Sequence, residues 1–329
     1  YNAANVTDLN GNDWGGVPGI FEKLASEGGF TLEAGIEAVS GVDLSYHHSD
    51  KAGLIADGTW DVIVLQNRSN ETFAQPQDHR DGIENLRDDI LAARPDTAIY
   101  LYETWAAPTY VNDGTYPNPD GLVTMQGDIR DGYASASDDF GLDGWVPVGE
   151  AFMRAVFEAV SDDPTSAPVT GSTNLWSSDG LHASVEGSYL AALMFYRDLL
   201  GADPRTLPTG SGSAAAELGI DPALADALQE VAYNTHSDAS YAFSGTLADY
   251  FANYAPFTSD ADAPSLTQAN GRYEYAATDS GTLRVSSEWL PRTAPADEDW
   301  EAVVEVNTAD LSPGDKQEVR LGLAASNTL

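Results

Sequence analysis

The chain of 329 residues carries 52 Asp and Glu against 15 Lys and Arg, a formal charge of −37, with 42% hydrophobic residues and no cysteine. That apolar content excludes a disordered chain despite the charge, and the missing thiols exclude a disulfide scaffold, thiol catalysis and cysteine-ligated zinc. Three lysines (Lys23, Lys51, Lys316) cannot build a basic face, so neither nucleic acid nor a membrane is an expected partner, and no apolar run approaches the ~18 residues of a membrane helix.

At roughly 150 residues per domain the length suggests two domains. An acid-rich surface stays hydrated at high ionic strength, which fits a saline habitat or an acidic secreted protein. The chain opens on Tyr1 and closes at Leu329 within strand-patterned sequence. Either a processed protein or a fragment cut at both ends is expected from those termini.

Residues 1–16 are rich in Asn, Gly and Asp and read as loop. From Val17 a helix is expected, with Pro18 in its first turn, Ile20, Phe21 and Leu24 on one stripe, and Gly28-Gly29 at its end. Residues 30–39 are strand-compatible. Trp60-Asp61-Val62-Ile63-Val64-Leu65-Gln66 has the β-branched run of a buried parallel strand. Pro76 opens the next helix, Ile83, Leu86, Ile90 and Leu91 keep helical spacing, and Pro95 stops it. Residues 97–102 form the next strand, followed by a helix near 125–138, a short strand at 145–148 and a helix over 150–160. The helix from about Ser184 to Leu200 places Val185, Tyr189, Ala192, Leu193 and Tyr196 on one face.

Beyond Gly201, residues 207–216 read as a Gly/Ser/Ala linker, and Asp221–Thr235 as an amphipathic helix on Leu224, Leu228 and Val231. Residues 237–265 are weakly patterned. Alternation then appears at Tyr273/Tyr275, Leu283/Val285, Ala302–Val306 and Val319/Leu321/Leu323. The expected organisation is an α/β domain over 1–236 with a mainly parallel sheet flanked by helices, a linker over 237–265, and a partial β-rich, sandwich-like domain over 266–329.

The strongest chemical signal is Ser177-Ser178-Asp179-Gly180-Leu181-His182-Ala183-Ser184, just ahead of a helix. Asp179 and His182, three residues apart in a loop, can set a carboxylate against one imidazole nitrogen and leave the other as a general base. The same spacing also fits an Asp and a Ser capping a helix beside a surface histidine. His47-His48 next to Asp50 raises the question of a metal, but adjacent side chains diverge and no HExxH-type spacing supports one. His79 and His236 fall in helical patterns and read as surface residues. Trp60, Tyr102, Trp105 and Trp145 read mostly as core, with Trp105 at a strand's end also able to line a sugar or acyl pocket.

Asp179-x-x-His182 followed by Gly187-Ser188-Tyr189-Leu190-Ala191-Ala192 resembles the last block of the SGNH (GDSL-like) hydrolases. Trp14-Gly15-Gly16-Val17-Pro18-Gly19 resembles the segment after their nucleophile, and Gly41-x-x-Leu44-x-x-His47 their oxyanion-glycine block. The 60–66 strand and Glu103-Thr104-Trp105-Ala106 follow in the same order, so the resemblance spans roughly residues 1–236. It implies a three-layer, flavodoxin-like α/β fold and a Ser–His–Asp triad using His182 and Asp179. Oxyanion donors would be Gly41 and Gln66, with Asn67 and Asn70 as alternatives, and His47 and Trp105 would lie at the substrate pocket. The family's Gly-Asp/Asn-Ser block does not occur in the chain, and family spacing puts that serine at or just before Tyr1. Where the family has Gly-x-Asn-Asp, this chain has Gln66-Asn67-Arg68-Ser69-Asn70.

The activity implied is ester hydrolysis without a cofactor, with O-acetylated carbohydrate or another small ester as substrate and an extracellular or periplasmic setting. A non-catalytic carbohydrate-binding or adhesion protein on the same scaffold is the alternative, and a lyase or transferase stays open as a third reading.

Overall fold

The computed structural model describes residues 7–8, 15–51, 53, 60–117, 121–165 and 173–235, and short strands at 258–259, 266–269, 272–275 and 285–286. The chain divides into two compact units, one comprising Tyr1–Ala252 with Thr267–Tyr275, the other Asn253–Leu266 with Ala276–Leu329.

In the first unit the β-branched run Val62–Leu65 (β3) lies parallel to Ala98–Glu103 (β4), which lies parallel to Gly144–Pro147 (β5). Leu65 pairs with Leu101, and Glu103 with Pro147. Alternation along these strands sends side chains to opposite faces, each covered by helices. Val64, Tyr102 and Val146 join the core formed with Gly16–Glu27 (α1), Val148–Phe157 (α7), Val185–Leu200 (α8) and Pro222–Asn234 (α10). Ile63, Leu65, Ile99, Leu101 and Trp145 join the opposite core, with Pro76–Ala93 (α4) and Gly121–Phe140 (α6). This is the parallel α/β sheet that the alternation of strands and helices predicts, covered on both faces as the three-layer arrangement of the resemblance implies.

Helix α8 is apolar nearly all round, with Tyr189–Tyr196 buried throughout, which suits a helix enclosed by others rather than one lying on a surface. Ser184 caps it by accepting the Gly187 N–H, and Gly201 closes it with φ +62°. Gly187 has a packing reason: a Cβ there would stand 2.3 Å from the Leu175 carbonyl and 2.8 Å from the Phe152 ring. The helix therefore closes directly onto the loop before it.

Several sequence expectations need revision. Residues 30–39 yield only Gly35–Ile36 (β2), parallel to Thr7–Asp8 (β1), which lies in the stretch read as loop. The supposed linker at 207–216 packs into the core: Ala214–Glu217 (α9) buries Ala214 and Ala215, Glu27 accepts the Ala214 N–H, and Lys23 pairs with Glu217. Small residues there serve close packing, not flexibility. Two short helices had no sequence signal, Leu44–Tyr46 (α2), capped by Asp43, and Glu71–Ala74 (α3). Pro108–Asn112 (α5) follows β4.

Near the second boundary, Thr258–Ser259 (β6), inside the expected linker, pairs antiparallel with Val285–Ser286 (β9). Leu266–Ala269 (β7) pairs with Arg272–Tyr275 (β8), the latter carrying the Tyr273/Tyr275 alternation. The strands expected at Ala302–Val306 and 319–323 lie outside the described residues, as does His236.

Candidate functional site

The Asp179–His182 loop is a tight hairpin. Trp176 bridges Ala183, the Ser177 N–H donates to the His182 carbonyl at 2.8 Å, and the Gly180 N–H turns back to the Ser177 carbonyl at 3.0 Å. Within it Asp179 Oδ1 accepts the N–H groups of Leu181 (2.9 Å) and His182 (3.0 Å) and the Ser177 hydroxyl (2.6 Å). Oδ2 meets His182 Nδ1 at 2.6 Å. The His182 hydrogen bond, then Ser177 and the two amides, hold the Asp179 carboxyl well below the usual carboxylate range. An ionised Asp179 fixes Nδ1 as the protonated ring nitrogen. Nε2 then carries the lone pair and has no hydrogen-bond partner among the described residues, on a side chain 79% exposed.

The hairpin docks at the carboxyl end of β4, where open α/β sheets bind ligands. Thr109 Oγ1 reaches the carbonyls of Asp179 and Gly180, each at 3.1 Å. Trp105 donates its indole N–H to the Leu181 carbonyl at 2.9 Å, and Trp176 donates its own to Ala106 at 2.8 Å. Leu181 and Val185, two of the four exposed large hydrophobic residues among those described, lie within three residues of His182 in sequence.

The structure brings Asp179, His182 and Trp105 together. No described hydrogen bond joins Gly41, Gln66, Asn67, Asn70 or His47 to the dyad. Gly41 is exposed with φ +75°, the left-handed region that favours glycine, and nothing lies within 4 Å of where its Cβ would be. Gln66 is exposed just past β3. Asn67 is buried and committed: its N–H donates to Tyr133 Oη, its Oδ1 accepts the Arg68 N–H, and its Nδ2 faces His79 Nδ1 at 3.2 Å. Asn70 precedes α3 without capping it through its side chain. His47 is held by Glu37 and stands edge-on to Tyr46. Trp105, 9% exposed, is stacked at 4.7 Å on Phe152.

His79 corrects its expectation as a surface residue. It is 1% exposed, packs edge-on to Tyr133, and burial lowers it to about 4. It lines a groove of about 430 Å³ with Thr72, Asp128 and Asp131, a groove to which neither Asp179 nor His182 contributes.

Sequence reasoning missed the buried acids beneath the site. Glu103, at the end of β4, accepts the N–H groups of Gly149 (3.0 Å) and Glu150 (3.3 Å) and the amide of Gln126. Burial and the neighbouring Glu150 charge push it well up. Burial likewise pushes Glu150 up to about 7, with Arg130 at 3.8 Å opposing. The available signal was an acid closing the apolar run Tyr100-Leu101-Tyr102, since a carboxyl there needs built-in partners.

The class this geometry defines is a parallel α/β sheet with an Asp–His dyad on a loop at its carboxyl edge, the fold that the SGNH resemblance implies. Among solved structures, the chain is similar to a DUF4886 family protein from Bacteroides uniformis, at 19% identity and TM-score 0.55, over 70% of this chain and 92% of that one. That likeness establishes the fold alone. A protein from Slackia heliotrinireducens described as a candidate SGNH hydrolase gives 20% identity and TM-score 0.43, over 59% of this chain and 96% of its own. TesA gives 14% and 0.41, over 59% and 95%. These two overlaps are too loose to carry argument. No protein-family profile and no curated protein matches the sequence.

Proposed function

We propose that the α/β unit works as a serine ester hydrolase, with O-acetyl groups on carbohydrate as the substrate class. One observation carries the reading: Asp179 Oδ2 lies 2.6 Å from His182 Nδ1, with Nε2 turned outward. In the reaction His182 Nε2 takes the proton of a serine hydroxyl as its oxygen bonds to the acyl carbon. The carbonyl oxygen becomes an oxyanion, for which the Gly41 N–H and the Gln66 amide are the donors proposed. His182 returns the proton to the departing sugar alkoxide, and water repeats the sequence on the acyl-enzyme. Asp179 orients the imidazole and stabilises its cation. The exposed apolar side chains of Leu181 and Val185, close to His182 in sequence, are available to a small acyl group. The acid-rich chain and the strand pairs after residue 257 suit an enzyme acting on polysaccharide outside the cell.

The test is release of acetate from acetylated xylan and from p-nitrophenyl acetate. It compares the 329-residue chain with one carrying Gly-Asp-Ser ahead of Tyr1, each with and without His182→Ala. Turnover in either protein that falls by at least 10³ with His182→Ala supports the reading. Glycan binding unchanged by His182→Ala, with no turnover in either protein, replaces it with the carbohydrate-binding alternative.

A further inference from the structure

Trp105 stands where the sequence suggests a pocket wall, yet it is 9% exposed, with one ring face and its polar atom committed. Its ring lies parallel to Phe152 (4.7 Å, 6°) with Tyr102 at its edge (6.4 Å), leaving little surface for a ligand. Its indole N–H is spent on the Leu181 carbonyl, which lies in sequence between the two dyad residues. Trp176, at the base of the hairpin, makes the converse bond, from the hairpin back to Ala106, the residue after Trp105. Its ring meets Phe152 edge-on at 5.2 Å, so one phenyl ring backs both indoles. The sheet-end segment thus both gives to and receives from the dyad hairpin.

This clasp has a fixed anchor. The Ala106 N–H donates to Gln126 Oε1 at 2.7 Å, and Gln126 Nε2 donates to buried Glu103, which also receives the first amides of α7. Segment 105–106 is therefore tied directly to α6 and, through Gln126 and Glu103, to the sheet and α7. The hairpin by contrast is exposed: its Asp179 and His182 side chains are 47% and 79% accessible, and its internal bonds fix its shape but not its place. A shift of about 1 Å at a catalytic base costs on the order of 10² in rate, so something must set that place.

We propose that Trp105 and Trp176 are positioning residues that hold the Asp179–His182 hairpin in register with the carboxyl edge of the sheet. This inference rests on the esterase reading for its catalytic consequence but not for its geometric one. Thr109, bonded to two hairpin carbonyls from the first turn of α5, is a third and more exposed tie.

The experiment uses Trp105→Phe, which keeps a ring on Phe152 and deletes the N–H, and Thr109→Val, which leaves the core intact should the first variant fail to fold. Hydrogen exchange at the Trp176 indole N–H reports whether the hairpin stays seated on the Ala106 carbonyl, and the ¹⁵N spectrum of the His182 imidazole reports the bond internal to the hairpin. The expected result for either variant is exchange at the Trp176 N–H at least about 10-fold faster than in the wild type, with the His182 Nδ1–H signature kept because Asp179 moves with it. Where turnover is measurable, kcat should fall about 10-fold to 100-fold with KM within about twofold. Unchanged exchange at the Trp176 N–H in the folded variants, or a rise in KM with kcat intact, overturns the inference and returns Trp105 to the pocket. If instead His182→Ala retains turnover, the esterase reading fails, while the exchange result still decides the clasp.

Discussion

Asp179 and Glu103 have nearly the same hydrogen-bond partners and opposite acidities. Each carboxylate accepts two backbone N–H groups and at least one side-chain donor. Asp179 sits in an exposed hairpin, where those bonds meet little desolvation cost and hold its pKa below the ordinary value. Glu103 is fully buried beside Glu150, and burial outweighs the same donors. Hydrogen bonds therefore set the sign where water is near, and desolvation sets it where water is excluded. The exposed acid is kept ionised for chemistry at a surface loop. The buried acids hold the segment on which that loop rests.

The largest effect that could break the comparison comes from Asp179→Asn. The amide keeps the shape but presents an N–H where Nδ1 requires an acceptor, which inverts the imidazole tautomer. Turnover should fall by about 10⁴, the effect seen when a triad carboxylate becomes an amide. Because the side chain is exposed, the thermal midpoint should stay unchanged. A variant that melts markedly earlier would show that Asp179 is a structural cap of the hairpin, the bland reading of the same spacing.

Next in size is the pH dependence of stability. Glu150, at about 7 in the folded chain against 4.5 for the ordinary group, binds more proton in the native than in the unfolded state between those values. Its contribution therefore falls as pH rises from about 4.5 to 7. His79, lowered to about 4 from 6.5, acts in the opposite sense: its contribution is whole above about 6.5 and is lost as pH falls toward 4. Urea melts of Glu150→Gln and His79→Gln from pH 4 to 8 separate the two slopes. The Glu150→Gln chain should gain on the wild type with rising pH, and the His79→Gln chain should gain with falling pH. Offsets constant across the range would remove burial as the cause of both shifts.

Much of this architecture is legible in the sequence because it depends on periodicity. The strand at 62–65, the helix opened by Pro76 and the helix ending at Gly201 follow from β-branched runs, 3.6-residue spacing and terminal punctuation. Asp179 and His182 are legible as a pair because three residues in a turn can join them without any long-range contact. What escapes is long-range pairing of polar groups. Nothing near His79 announces that Asn67, 12 residues away, will face its ring, and nothing near Trp105 announces a carbonyl 76 residues on. The segment Ala214–Glu217 misleads for a related reason: alanine, glycine and serine serve a flexible linker and a close helix contact equally well, and only the presence of α1 decides.

The smallest effect tests the exposed side of the comparison most directly. Ser177→Ala deletes the 2.6 Å bond from its hydroxyl to Asp179 Oδ1 and nothing else in the hairpin, because the Ser177 N–H still binds the His182 carbonyl. Oδ1 retains the amides of Leu181 and His182, and Oδ2 retains the imidazole. If hydrogen bonds govern this acid, its carboxyl should become less acidic, read as an upward shift of its ¹³C titration midpoint, while His182 keeps its tautomer. Turnover should drop less than about tenfold, since a single exposed bond to a charged group is weakened by competition with water. An unmoved midpoint would mean that the imidazole alone sets the acidity of Asp179. The contrast with Glu103 would then rest on one ion pair in place of a shared set of donors.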